Sequence, residues 1–153
     1  MLLKKILINQ YYFFKNLLLI FKGASIGRGV KIYGKIIVKY PKNLIIGDNC
    51  TLNDGVLLNC KGGIVIGDNC RISSNAQFYS TGLTIDKFPR IHHSSRITLE
   101  NNVWIGSNSV ITQGVRIGQK STLGALSLAN KNIEPYSFYA GTPAKKIKDI
   151  TEV

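Results

Sequence analysis

Acidic residues are scarce in this 153-residue chain: eight Asp and Glu stand against 20 Lys and Arg, for a formal charge of +12. None occurs before Asp48, whereas nine basic residues do. Such an excess favours anionic partners, including phosphate-bearing cofactors, lipid head groups and acidic glycans. Nucleic acid is set aside, because no nucleic-acid-binding motif accompanies the basic residues. Cysteine is limited to Cys50, Cys60 and Cys70, an odd set without CxxC spacing or nearby histidines. That pattern argues against a metal site and for buried thiols in a reducing compartment. Long apolar runs are also missing. The first 21 residues are apolar but broken by Asn9, Gln10, Lys15 and Asn16, and no small-residue cleavage site follows. They match neither a membrane span of roughly 20 residues nor a signal peptide. The expectation for residues 1–22 is a short basic, apolar helix that packs on the domain, with peripheral contact at a membrane surface as the alternative.

What the sequence has in quantity is a period of six. Leu99, Ile105, Ile111, Ile117 and Leu123 recur at that interval, and four places after each stands Val103, Ser109, Val115, Ser121 or Ser127. Earlier copies read Ile26-Gly27 with Val30, Ile46-Gly47 with Cys50, and Ile66-Gly67 with Cys70. Six fits neither the 3.6 of a helix nor the simple alternation of a strand, so the unit is a short strand plus a corner. Three units close one triangular coil, and stacked coils bury what one unit cannot. Asp48-Asn49, Asp68-Asn69, Gly29, Gly55 and Gly114 suit the corners. Cys50 and Cys70 fall at equivalent positions 20 residues apart, so they stack as small interior residues. The two residues beyond 18 are expected at Tyr40-Pro41-Lys42 and Lys61-Gly62-Gly63. Both ends of such a solenoid expose strand edges that need covering.

The stretch Asn101-Asn102-Val103-Trp104-Ile105-Gly106-Ser107 resembles the signature of the maltose and galactoside O-acetyltransferase branch of the hexapeptide-repeat acyltransferases, and of capsule and colanic-acid acetyltransferases. Ala140-Gly141-Thr142-Pro143-Ala144-Lys145 is similar to that group's C-terminal ending, and the resemblance runs from about Gly23 to Lys148. The expected fold is therefore all-β: a left-handed parallel β-helix over 23–132, with an N-terminal helix over 1–22, an extruded loop at about 83–96, and a C-terminal capping segment over 133–153. The resemblance implies an O-acetyltransferase that moves an acetyl group from acetyl-CoA to a saccharide hydroxyl, such as a cell-surface polysaccharide or its lipid-linked or acidic precursor. It further implies a cytoplasmic homotrimer with grooves between subunits, peripheral at the inner membrane face if the N-terminal helix touches lipid. A non-catalytic glycan-binding relative and a transferase to nitrogen or of a longer acyl chain stay open.

Acyl transfer to a hydroxyl needs a base and donors for the oxyanion, and a neutral imidazole suits the first role. His92 and His93, the only histidines, lie in the loop where the repeat lapses, and His92 is preferred as base. In the resembled branch the base follows soon after a Thr-Gly pair; here Thr81-Gly82 is followed by Leu83. The resemblance assigns a Ser107 N–H to the thioester carbonyl, an Ala125 main-chain contact to the pantetheine arm, Asn130 and Lys131 to coenzyme A, Lys145 and Lys148 to its phosphates, and Trp104 to the cleft wall. Asn130 replaces the usual threonine. A zinc-dependent carbonic anhydrase, which shares this fold, needs three separated histidines that the chain lacks.

Overall fold

A computed structural model describes residues 14–151. The chain winds into a parallel β-helix with three flat faces. The first face stacks Ser25–Ile26, Leu44–Ile46, Ile64–Ile66, Ile97–Leu99 and Arg116–Ile117. The second stacks Lys31–Ile32, Thr51–Leu52, Arg71–Ile72, Trp104–Ile105 and Thr122–Leu123. The third stacks Ile37–Lys39, Leu57–Asn59, Gln77–Tyr79, Val110–Thr112 and Leu128–Ala129. Register is strict. Ile26, Ile46, Ile66, Leu99 and Ile117 form one column. Ile32, Leu52, Ile72, Ile105 and Leu123 form a second, and Val38, Leu58, Phe78, Ile111 and Ala129 a third. Most of these side chains are buried, and each fully buried Leu, Ile or Phe contributes about 1.5–3 kcal/mol.

The period-six reading holds through all five coils, and the cysteines behave as expected. Cys50 and Cys70 occupy one interior column, and all three thiols are free and buried. Burial pushes the Cys60 thiol up to about 12. The extra residues fall at the corner between the third face and the first. A 3-10 turn, Pro41–Asn43, fills it in the first coil, and the Lys61–Gly63 turn fills it in the second.

The Asp-Asn corners do more than tolerate a turn. Asn49 and Asn69 adopt φ of 57°, and their neighbours stitch one coil to the next. Asp48 Oδ1 accepts from the Arg28 N–H at 2.8 Å, Asp68 Oδ1 from the Asp48 N–H at 2.7 Å, and Asn101 Oδ1 from the Asp68 N–H at 2.9 Å. The backbone donor at Arg28 holds the Asp48 carboxyl below its ordinary value. Glycine precedes Asp48 and Asp68 because the coils touch there: a Cβ on Gly47 would collide with the Asp68 side chain and the Gly67 backbone.

Both ends are covered. The helix over 14–21 lies across the first coil, where Lys15 donates to the Ile32 and Gly34 carbonyls and Asn16 to Val30 O at 2.9 Å. Lys15 and Asn16, two of the polar residues that interrupt the apolar segment, thus satisfy an open strand edge. Residues 1–13, the rest of the expected N-terminal helix, lie outside the described residues. At the other end Ile133 bridges to Ile117, Ser137–Ala140 pairs in parallel with Thr122–Leu123, and Lys145–Asp149 folds back antiparallel as the outer strand. No helix among the described residues is long and apolar enough to cross a membrane.

The segment expected as a loop is an antiparallel hairpin in which Thr81–Leu83 pairs with His92–Ser94. It leaves the solenoid between the third face and the first, after Tyr79 and before Ile97.

Two stability tests follow from the corners. Leu126 holds φ of 57° while 73% exposed, where the equivalent residues of lower coils are Gly55, Asn75 and Asn108. A left-handed Leu costs roughly 1–2 kcal/mol, so Leu126→Gly is expected to raise the calorimetric Tm by about 2–4 °C per kcal/mol recovered. The Glu100 carboxylate accepts from Arg116 and from the Gln119 N–H, which lower its pKa from 4.5. A depressed folded pKa stabilises above the unfolded value and ceases to do so as pH falls through the folded one. The urea midpoints of wild type and Glu100→Gln should therefore differ at pH 7 and converge as the pH falls below the ordinary carboxylate range; a constant offset would refute the linkage.

Candidate active site

A groove of about 290 Å³ runs over the second face and its corner toward the third, lined by Ser73, Trp104, Gly106, Ser107, Ala125 and Phe138 among others. The strand register sets it out. Trp104 pairs with Arg71 below and Thr122 above and points outward, 54% exposed. Its indole N–H donates to Ser73 Oγ at 3.1 Å, which lays the ring down over the coil beneath. An outward position on a flat face accounts for so large a ring on a narrow solenoid.

The groove floor is backbone. A Cβ on Gly106 would collide with the Ala125 nitrogen, so the two corners pack at their closest. Ser107 and Ala125 occupy equivalent corner positions one coil apart, about 4.8 Å. Among the described residues, neither N–H donates to another protein group. Adjacent backbone donors, unpaired and facing one groove, suit a polarised carbonyl or an oxyanion. Leu126 follows Ala125 and extends an apolar side chain beside them.

Trp104, Ser107 and Ala125 are thus brought together. Lys145 and Lys148 lie on the outer strand, paired with Ala140 and Phe138, so they border the upper end of the groove. Asn130 and Lys131 are exposed beyond Ala129, at the far side of the third face.

The histidines do not fold over this groove within one chain. The hairpin that carries them projects from the other end of the third face, whose strand Val110–Thr112 spans about 10 Å. His93 is held there, with its Nε2 3.0 Å from the Gln113 amide nitrogen. Successive strand residues face opposite ways, so His92 projects from the other side of the hairpin and is exposed. His92 is the direct cross-strand partner of Leu83, and His93 of Gly82. Directly opposed residues share a face with Cα atoms about 4.5–5.5 Å apart. An imidazole therefore stands one strand away from the residue that follows Thr81-Gly82.

The sequence did not single out Ser73, Gln113, Leu126 or Phe138. Ser73 and Phe138 become visible only when the coils are aligned, since Ser73 reaches the groove from the coil below Trp104 and Phe138 from two rungs above it. Gln113 is found only once the hairpin's direction is known. Among the described residues no group of His, Cys, Asp and Glu is placed to hold a metal ion.

Residues 43–76 and 96–125 match the family described as hexapeptide repeat of succinyl-transferase. The galactoside O-acetyltransferase of Escherichia coli K12 is 34% identical over 132 residues, 84% of this chain and 65% of that protein. A chloramphenicol acetyltransferase of Klebsiella aerogenes is 33% identical over 110 residues, 69% of this chain and 50% of that protein. The chain thus spans less than two thirds of these curated relatives. The structure of a hexapeptide-repeat acetyltransferase from Vibrio cholerae with acetyl-coenzyme A superposes with a TM-score of 0.81 at 29% identity, covering 86% of this chain and 74% of that one. A maltose O-acetyltransferase structure from Clostridium difficile 630 superposes with a TM-score of 0.80 at 33% identity, covering 84% of this chain and 70% of that one. At 33% identity over 70% of that maltose O-acetyltransferase, and with two segments that match the repeat family, the chain belongs to the hexapeptide-repeat acetyltransferases.

Proposed function

We propose that this protein transfers an acetyl group from acetyl-CoA to a saccharide hydroxyl, with His92 as the general base. The observation that carries this reading is the pairing of His92 with Leu83. The histidine expected after Thr81-Gly82 is absent, and an exposed imidazole occupies the same face of the hairpin one strand over. His93 is the weaker candidate, because its Nε2 is engaged by Gln113.

Acetyl-CoA supplies the activated acyl group. Its pantetheine arm lies along Gly106 and Gly124 past Trp104, with its phosphates toward Lys145 and Lys148 at the upper end and within reach of Asn130 and Lys131. The Ala125 N–H contacts the pantetheine arm, and the Ser107 N–H stabilises negative charge on the thioester oxygen. The acceptor hydroxyl attacks the carbonyl carbon, a C–O bond forms and the C–S bond breaks. The hydroxyl proton passes to His92 and on to the departing thiolate, giving free thiol and acetyl ester. Because one chain holds the groove and the histidines at opposite ends of a face, a homotrimer is proposed in which one copy's hairpin completes its neighbour's groove. The acyl donor places this work in the cytoplasm. A small non-saccharide alcohol is the competing acceptor, favoured by the chloramphenicol acetyltransferase relatives.

The test is thiol release from acetyl-CoA with a panel of glycans and with chloramphenicol. His92→Ala should lower kcat by about 10²- to 10⁴-fold while calorimetric affinity for coenzyme A is retained. Leu83→His in the His92→Ala background should restore part of the rate. Full activity in His92→Ala would remove His92 from the mechanism, and turnover of chloramphenicol but no glycan would reassign the acceptor.

A further inference from the structure

A second cavity, of about 310 Å³, lies at the foot of the hairpin on the first face, over the Leu44–Ile46 and Ile64–Ile66 strands and below the upper end of the Trp104 groove. Its walls are Lys42, Lys61 and Arg96, and its floor is Ile45, Val65 and the Gly62-Gly63 backbone. None of the three cations is in an ion pair among the described residues. The acids of the first three coils stand elsewhere. Asp48 and Asp68 ladder the corner between first and second faces, and Asp54 caps the corner between second and third.

The cations are also positioned. Arg96 lies along Gly63, where an added Cβ would come 3.3 Å from its Nε. The Lys42 stem passes over Gly23, where an added Cβ would stand 2.7 Å from its Cγ. The Lys61 carbonyl accepts from Asn43 Nδ2 at 3.2 Å, fixing the turn. Gly62 is required because the Ser94-Ser95 backbone crosses directly above it. The cavity thus adjoins the base of the strand that carries His92 and His93. Three residues separate His92 from Arg96, so along the chain the two lie at most about 13 Å apart.

We propose that this cavity binds a phosphoryl or pyrophosphoryl group carried by the acceptor, which makes the substrate a phosphate-linked saccharide. The inference rests on the acetyl-transfer reading for the word acceptor and on the cavity for the anion. Three converging cations without counter-charge match a multiply charged phosphoryl group better than a single carboxylate, and the Arg fork and lysine point charges are suited to its oxygens. The phosphates of coenzyme A are not the occupant, because the donor groove rises to Lys145 and Lys148 on the C-terminal strand, whereas this cavity lies on the lower coils. Binding a remote phosphoryl would hold the sugar near the hairpin and lend its binding energy to the reaction.

Full-length protein should be titrated calorimetrically with inorganic pyrophosphate at low salt, alone and saturated with coenzyme A. Binding should persist with coenzyme A bound, weaken with added NaCl, and fall roughly tenfold or more in Lys42→Gln/Lys61→Gln, about 1.4 kcal/mol. Both lysines are surface residues, so the variant is expected to fold. Its coenzyme A affinity should stay within about twofold of wild type, and Arg96→Gln should repeat the loss. Pyrophosphate binding that is undetectable, unchanged in the double variant, or displaced by coenzyme A would overturn the site. Displacement by an equal concentration of glucuronate would overturn its phosphoryl preference. If coenzyme A fails to bind wild type while the lysine-dependent pyrophosphate site remains, the acetyl-transfer reading falls and the anion site stands.

Discussion

Vertical stacking of identical positions is the constraint on which everything else depends. Each inward aliphatic residue rests on its counterpart in the next coil, and the strand ladder fixes that contact for all five coils at once. Outward residues inherit the same order. Ser73, Trp104 and Thr122 come together because three coils present them on neighbouring rungs, and the paired corners of Ser107 and Ala125 leave two N–H groups side by side for the same reason.

The polar residues follow from this constraint too. A stack of short strands leaves N–H groups at every corner, and they need partners wherever water is excluded. The Asp48, Asp68 and Asn101 side chains supply them along one edge, while the buried serines donate to main-chain carbonyls, as Ser109 Oγ does to Gly124 O of the next coil at 2.8 Å. At the corner between second and third faces the Ser107 and Ala125 N–H groups face outward instead, and the donor groove lies there.

The solenoid was legible in the sequence because its signal is periodic. Ile105, Ile111, Ile117 and Leu123 announce the columns, and the 20-residue separation of Cys50 and Cys70 announces both their stacking and the two surplus residues of each lower coil. The Trp104 groove was legible through one phrase, Asn101 to Ser107. The hairpin was not, since nothing between Leu83 and Arg96 repeats, and its direction depends on antiparallel pairing and on one side-chain contact to Gln113. Lys15 and Asn16 were legible only as interruptions of an apolar segment. Their role needs the Val30, Ile32 and Gly34 carbonyls, which belong to a coil that the local sequence does not describe.

The lengths of the corners differ in a way that bears on how such a protein can change. Within each coil the step from first to second face and from second to third is six residues, as in Ile26, Ile32, Val38 and in Leu99, Ile105, Ile111. The step back to the first face is eight from Val38 to Ile46, eight from Leu58 to Ile66, 21 from Phe78 to Leu99, and six from Ile111 to Ile117. Two vertices of the triangle are rigid, since one inserted residue there would turn a column inside out. The third accepts a turn, a glycine bend or a whole hairpin without disturbing any rung. Both the histidines and the basic cavity sit at that vertex, whereas the Trp104 groove sits at a rigid one, so insertions and deletions can remodel one half of the surface chemistry while the other half is locked to the repeat.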